Sequence, residues 1–188
     1  MELKGNIEKP SVLVIGAFHG DEPQGTYLIQ KYLEQKLGTN LLFIPQLNTC
    51  ASRVNLNGVD LNRNFPTKNW ILGEKNEYFG GESPASEKET KFVIETVEKY
   101  DPKVILTLHA PYKVVNYDGP RSNIVEKIAE IMQYPIEESI GYPTPGSFGT
   151  WAGIKKQILT ITLALDEENE VSKLEAPVFE VFEFLEGI

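Results

Sequence analysis

The chain contains two histidines, and each stands just past a short apolar run. His19 follows Ser11–Gly16 (SVLVIG) within the segment GAFHGDEPQG, and His109 follows Val104–Leu108. Glu22 lies three residues after His19, on the turn that leaves the first run. An imidazole nitrogen and a carboxylate at that separation can converge on one cation, and zinc takes N and O donors at about 2.0–2.2 Å. If the two runs are adjacent parallel strands, His19, Glu22 and His109 meet at one edge of a sheet. They then form a His2Glu set with a fourth position open to water. The competing reading is a group of hydrogen-bonded structural residues. Two histidines at two strand ends, one followed by Gly-Asp-Glu, weigh against it.

A second segment, RVNLNGVDLNRNFP (residues 53–66), carries two arginines in an Asn-rich stretch. Arg63 stands between Asn62 and Asn64, which suits recognition of a carboxylate: guanidinium binds it through two parallel hydrogen bonds and an amide adds a donor. Arg53 could polarise a carbonyl and stabilise the oxyanion formed when water attacks it. On residue types alone, a solvated polar loop with Asn-Gly turns is an equally good reading.

These side chains need a scaffold, and the apolar patterning predicts an α/β one. Continuous apolar runs at Ser11–Gly16, Leu41–Leu47, Val104–Leu108 and Ile158–Leu165 read as strands buried on both faces. Pro23–Lys36, Ser122–Met132 and Val171–Leu185 read as helices, with Pro23 suited to a first turn. Ser86-Glu87-Lys88-Glu89 reads as a capping box opening a helix to about Tyr100. Asn48–Gly81 is too long and too poor in apolar period to be a passive connection, so a functional loop is expected there. Gly141–Gly153 reads as a second loop, rich in glycine and aromatics. The candidate residues fall just past strand C-termini, where open α/β sheets place their ligands.

Composition narrows the classes further. A length of 188 residues, 41% hydrophobic and 24% charged, fits one ordinary globular domain, 1–188, with a core of its own. The net charge of −9 argues against nucleic acid as a partner, since phosphate binding needs clustered Lys and Arg. The lone Cys50 forbids an intrachain disulfide and reads as a semi-buried small residue. No apolar run is long enough to cross a membrane, and MELKGNIEKP has no signal-type apolar stretch, so a cytoplasmic protein with no membrane partner is expected.

Four blocks together carry a resemblance: GAFHGDEPQG, RVNLNGVDLNRNFP, LTLHAPYKVVNYDGP, and GYPTPGSFGTWAG followed by ILTITLAL. In this order, from about residue 11 to residue 165, they resemble the zinc carboxypeptidase family. Within it they are most similar to small bacterial murein peptide amidases, which release diaminopimelate from L-Ala-γ-D-Glu-meso-diaminopimelate. The resemblance implies a three-layer α/β/α fold around a mixed, mostly parallel sheet, trimmed at the periphery and open at the cleft. It implies one zinc ion held by His19, Glu22 and His109, with Arg53 as the oxyanion electrophile. Asn62 and Arg63 would hold the terminal carboxylate of a small peptide. Tyr142 falls near the position of a substrate-capping tyrosine, though a tyrosine packed in a Gly-Tyr-Pro turn reads equally well. Ser147, Phe148 and Trp151 would line the side-chain pocket.

One position departs from the family pattern. The family's last strand carries a general-base glutamate in a block resembling ITLELP, and here Ile161–Asp166 reads ITLALD. Ala164 stands at the glutamate's position. A missing general base typically costs about 10²–10⁴-fold in rate. Asp166 shares the strand face by alternation but lies about 6–7 Å further on. The resemblance therefore implies a peptidase scaffold that is inactive or impaired, through deliberate replacement or recent loss. The alternatives are a non-catalytic zinc-dependent binder of peptidoglycan peptides and a deacylase of the aspartoacylase type.

Overall fold

The computed structural model describes residues 1–36, 39–137 and 141–188. Six strands form one sheet: β1 (Lys4–Gly5), β2 (Val12–Gly16), β3 (Leu42–Ile44), β4 (Val104–His109), β5 (Val114–Asp118) and β6 (Leu159–Ala164). Their order across the sheet is β1-β3-β2-β4-β6-β5. The four central strands are mutually parallel, and the two edge strands run antiparallel to their neighbours. The sheet is thus mixed and mostly parallel, as expected.

Strand alternation divides the core into two layers. Val12 and Val14 of β2 face one way, with Leu106 and Leu108 of β4 and Ile161 and Leu163 of β6. Three helices cover that face: α1 (Gln24–Gln35), α3 (Asn123–Met132) and α4 (Glu175–Leu185). Leu13, Ile15 and Ile105 face the other way. There the covering layer is one helix, α2 (Lys88–Tyr100), joined by Leu47, Leu61, Phe65, Phe148 and Trp151 from irregular segments. The second layer is therefore partly loop, and the loop earns its burial with aromatic side chains.

Four local expectations are corrected. The capping box does not form, because Ser86 is drawn into the loop network: its hydroxyl accepts from Asn64 Nδ2 (3.0 Å) and donates to Glu87 (2.7 Å). Glu87 becomes the residue preceding α2, without a side-chain cap. The 141–153 segment is not all loop, since a π-helical turn spans Thr150–Lys155. Strands β1 and β5 were not anticipated. β1 is too short for any period, and β5 carries polar residues on its open face. The C-terminal helical stretch begins as a 3-10 turn at Val171–Leu174 before α4.

Candidate metal centre and substrate cleft

The route of the chain past β2 sets the first two candidate ligands, His19 and Glu22. Ala17 adopts a left-handed φ of 50°, which turns the backbone off the strand. Leu47 N–H and Asn48 N–H donate to Gly16 O and Ala17 O and fix the exit. Gly20 then lies against the 50–52 segment: a Cβ there would fall 1.6 Å from Cys50 O, so no other residue fits. Glu22 closes the turn just ahead of α1, its backbone N–H bonded to His19 O. β2 and β4 pair in parallel with Gly16 opposite Leu108, which carries His109 to the same edge.

All three side chains converge. Glu22 Oε1 is 2.7 Å from His19 Nδ1, and Glu22 Oε2 is 3.0 Å from His109 Nδ1. One ligand atom from each lies within 4.8 Å of the others. Both rings are nearly sealed, at 4% and 8% exposed, and Phe18 stacks on His109 with ring centroids 5.6 Å apart.

Asp60, which sequence reasoning passed over, ties this group to its surroundings. It is fully buried. Its Oδ1 lies 3.1 Å from His19 Nε2 and accepts from Asn62 N–H at 2.9 Å. Its Oδ2 accepts from Arg53 Nε and Nη2 at 3.1 and 2.9 Å. An aspartate between Val59 and Leu61 was the available signal, because a buried carboxylate requires partners. Burial alone would lower the His19 pKa, but the hydrogen bonds and charges of Asp60 and Glu22 override it and push it up to about 9. Burial opposes ionisation of Glu22 as well, yet His109 and His19 hold it well below the usual carboxylate range.

This donor set fits a zinc ion. Two imidazole nitrogens and a carboxylate offer N2O chemistry, and tetrahedral ligands at about 2.0–2.2 Å lie roughly 3.4 Å apart, a span bracketed by the 2.7 Å contact of Glu22 with His19 and the 4.8 Å limit among the three donors. Asp60 takes the far nitrogen of His19, the arrangement that fixes a ligating ring's tautomer and orientation.

A cleft of about 280 Å³ opens beside the triad. Arg53, Asn62, Arg63, Tyr142, Ser147, Phe148 and Ala164 all line it. Arg53 also packs on the Tyr78 ring, 4.8 Å from its centroid. Arg63 is 4% exposed and donates from Nη1 to Asn62 O at 2.7 Å. Phe148 N–H donates to Asn62 Oδ1 at 2.9 Å, and among the described residues the Asn62 amide nitrogen has no acceptor. Tyr142 is 40% exposed at the rim, and its phenol, with burial, pushes the Tyr112 hydroxyl above its ordinary pKa. Trp151 does not reach the cleft. It is packed against Phe65 and Phe148 in the core, where so large a ring finds its burial.

Ala164 stands directly opposite His109 in the parallel register of β4 and β6. Its methyl is the group presented to the cleft beside the triad. Asp166 is engaged elsewhere: Lys113 Nζ lies 3.0 Å and Asn169 Nδ2 2.7 Å from its carboxylate.

With this geometry in view, the relatives are informative. The zinc carboxypeptidase family matches residues 46–123, the stretch that holds Arg53, Asp60, Asn62, Arg63 and His109. Murein peptide amidase A of Escherichia coli (strain K12) is 30% identical over 161 residues, covering 76% of this chain and 66% of that protein. The Vibrio campbellii murein peptide amidase A is 29% identical over 171 residues, covering 81% and 68%. This chain thus spans about two thirds of the length of these curated relatives. The crystal structure of murein-tripeptide amidase from Escherichia coli O157 superposes with a TM-score of 0.80 at 26% identity, covering 95% of this chain and 82% of that one. By the family match, the curated relatives and the superposition, the chain belongs to the zinc carboxypeptidase family, whose members are zinc-dependent.

Proposed function

We propose that this chain is the scaffold of a zinc carboxypeptidase acting on a murein tripeptide, with its general base replaced by Ala164. Its ligand is a small peptide with a free C-terminal carboxylate. The best candidate is L-Ala-γ-D-Glu-meso-diaminopimelate, by analogy with the relatives named murein peptide amidases. The observation that carries the reading is the register pairing of His109 with Ala164, which sets a methyl group beside an otherwise complete His2Glu site.

In this reading His19, Glu22 and His109 hold one zinc ion, which when bound polarises a water and the scissile carbonyl. Asp60 orients His19 and Arg53 together. Arg53 presents its guanidinium to the oxyanion, and Asn62 Nδ2 and Arg63 bind the terminal carboxylate. Tyr142 closes over the substrate from the rim. No residue beside the triad takes the proton from water and returns it to the leaving amine, since Ala164 cannot and Asp166 is held by Lys113 and Asn169. The chain therefore binds and orients peptide while cutting it slowly or not at all.

The test is restoration. With zinc present, Ala164→Glu should raise release of diaminopimelate from the tripeptide by about 10²–10⁴-fold over the unsubstituted chain. No hydrolysis by the glutamate variant of any peptide with a free C-terminus would sink the reading. Turnover of N-acyl amino acids in its place would favour the deacylase alternative.

A further inference from the structure

The segment that carries Asp60, Asn62 and Arg63 is held on both sides by one residue outside the cleft. Glu87, which precedes α2, is 6% exposed. Its Oε2 accepts from Asn55 Nδ2 at 2.8 Å and from Asn57 Nδ2 at 2.7 Å. Its Oε1 accepts from the Ser86 hydroxyl at 2.7 Å, and its backbone N–H donates to Asn64 Oδ1 at 3.2 Å. Among the described residues no Lys or Arg forms an ion pair with this carboxylate, so neutral donors alone satisfy it. Burial opposes its ionisation, but the Asn55 amide, the Ser86 hydroxyl and the Asn57 amide, with the charge of Lys91, hold its pKa below the ordinary value. A buried charge met in this way binds its donors in place, because losing any of them exposes an unpaired polar group.

Both attachments lead to the arginine clamp. Asn55 Oδ1 accepts from Asn57 N–H at 3.0 Å and from Val59 N–H at 3.1 Å, which closes the turn just ahead of Asp60. On the other side, Asn64 Nδ2 donates to Gly80 O at 2.7 Å and to Ser83 O at 3.1 Å. The carbonyl of Arg63 is enclosed there: a Cβ on Gly80 would fall 2.5 Å from it, and one on Gly146 2.2 Å. Between the attachments, Leu61–Arg63 is a single 3-10 turn. Such a turn has poor hydrogen-bond geometry of its own, so its placement depends on what holds its ends. Glu87 and its four partners are outside the cleft lining and touch no ligand there.

We infer that Glu87 is a positioning residue for the cleft, acting through Asn55, Asn57 and Asn64 to place Asn62 and Arg63 for a terminal carboxylate. The inference rests on the peptide-binding reading above and deepens it. Recognition through two parallel hydrogen bonds tolerates little displacement of the guanidinium, so a loosened turn weakens the clamp before it weakens other contacts. Glutamine at position 87 still offers one oxygen to Asn55 and Asn57. Alanine offers none and leaves two amides and a hydroxyl without their acceptor.

Calorimetry on the zinc-loaded chain tests this without turnover. The probes are L-Ala-γ-D-Glu-L-Lys and the same peptide amidated at its C-terminus. The unsubstituted chain should prefer the free carboxylate by about tenfold or more, the scale of one charge-assisted hydrogen bond. Glu87→Ala should reduce that preference to about threefold or less, without weakening the amidated peptide, and Glu87→Gln should retain most of it. A merely structural role would lower the melting temperature and weaken both peptides alike. Equal losses, or an unchanged preference in folded Glu87→Ala, therefore overturn the inference while peptide binding stands. Asn57 is exposed, so Asn57→Asp sets a like charge against Glu87 without disturbing the core, and it decides the matter where Glu87→Ala does not fold. It should lower the preference by about threefold, and no change overturns the inference. Absence of binding of either peptide by the unsubstituted chain overturns the peptide-binding reading and the inference with it.

Discussion

Asp60 Oδ1 lies 3.1 Å from His19 Nε2, while Nδ1 of the same ring faces Glu22 at 2.7 Å. One imidazole is thereby held at both nitrogens, and the ring cannot rotate without losing a buried contact. The second oxygen of Asp60 fastens Arg53. A single buried carboxylate thus couples the orientation of the proposed metal ligand His19 to that of the arginine beside it.

Asp60→Asn should therefore weaken zinc binding by about 10–100-fold while keeping one ion per chain. His109→Ala, which removes a ligand, should abolish stoichiometric binding. Competition against a chromophoric chelator separates the two. Unchanged affinity in the asparagine variant would show that the contact does not orient His19.

The clamp makes a separate prediction. Arg63 is buried at the cleft wall beside Asn62, so replacement by lysine loses the planar fork without losing the charge. Arg63→Lys should weaken binding of a peptide with a free C-terminus by about 10-fold or more. Binding of the same peptide amidated at its C-terminus should scarcely change. Calorimetry reads both, and equal losses for the two peptides would place Arg63 outside carboxylate recognition.

Gly20 tests the turn that positions His19 and Glu22. Its missing side chain is required by Cys50 O, 1.6 Å from where a Cβ would be. Gly20→Ala should cost about 1–3 kcal/mol or more through overpacking against backbone. The melting temperature should fall by several degrees, and zinc affinity should fall with it. Gly58→Ala is a control for added side-chain bulk, because nothing lies within 4 Å of its Cβ position, although its positive φ carries a small strain of its own.

Acid stability should depend on Asp166. The Asn169 amide, then Lys113 and the Glu168 N–H, hold its carboxyl down to about 2, below its ordinary 3.8. A depressed folded-state pKa stabilises the fold above the unfolded value and loses that effect as pH falls through the folded value. The stabilisation is thus complete above about pH 4 and disappears toward pH 2. Thermal melts across that window should show the gap between the unsubstituted chain and Asp166→Asn closing as pH drops. A gap of constant size would mean the carboxylate is not preferentially ionised in the fold.

Much of this was legible in one dimension because it depends on local pattern. The four central strands announced themselves as continuous apolar runs, since strands buried on both faces need such runs. His19 and His109 were identifiable by their place after those runs, and the absence of glutamate at Ala164 through the resemblance to the family's last-strand block. Asp60 and Glu87 were not, because nothing in a sequence states which carboxylates will be buried or what will face them. The Ser86 capping box failed for the same reason: a local motif lost to Asn64, a partner 22 residues away.

The amino-acid sequence by itself determined the four central strands, the main helices and the candidate ligands, which are properties of composition and short-range period, while the departure at Ala164 came from the family resemblance. Tertiary structure alone decided the rest. Parallel pairing of β2 with β4 brought His19 and Glu22 to His109, and the register of β6 set Ala164 opposite His109. Pairing of Glu87 with Asn55 and Asn57 tied the 53–66 segment to the start of α2, and packing in the core took Trp151 away from the cleft. The physical reason is that convergence, burial and the pairing of charges are fixed by contacts between residues far apart in the chain, which local propensity does not encode.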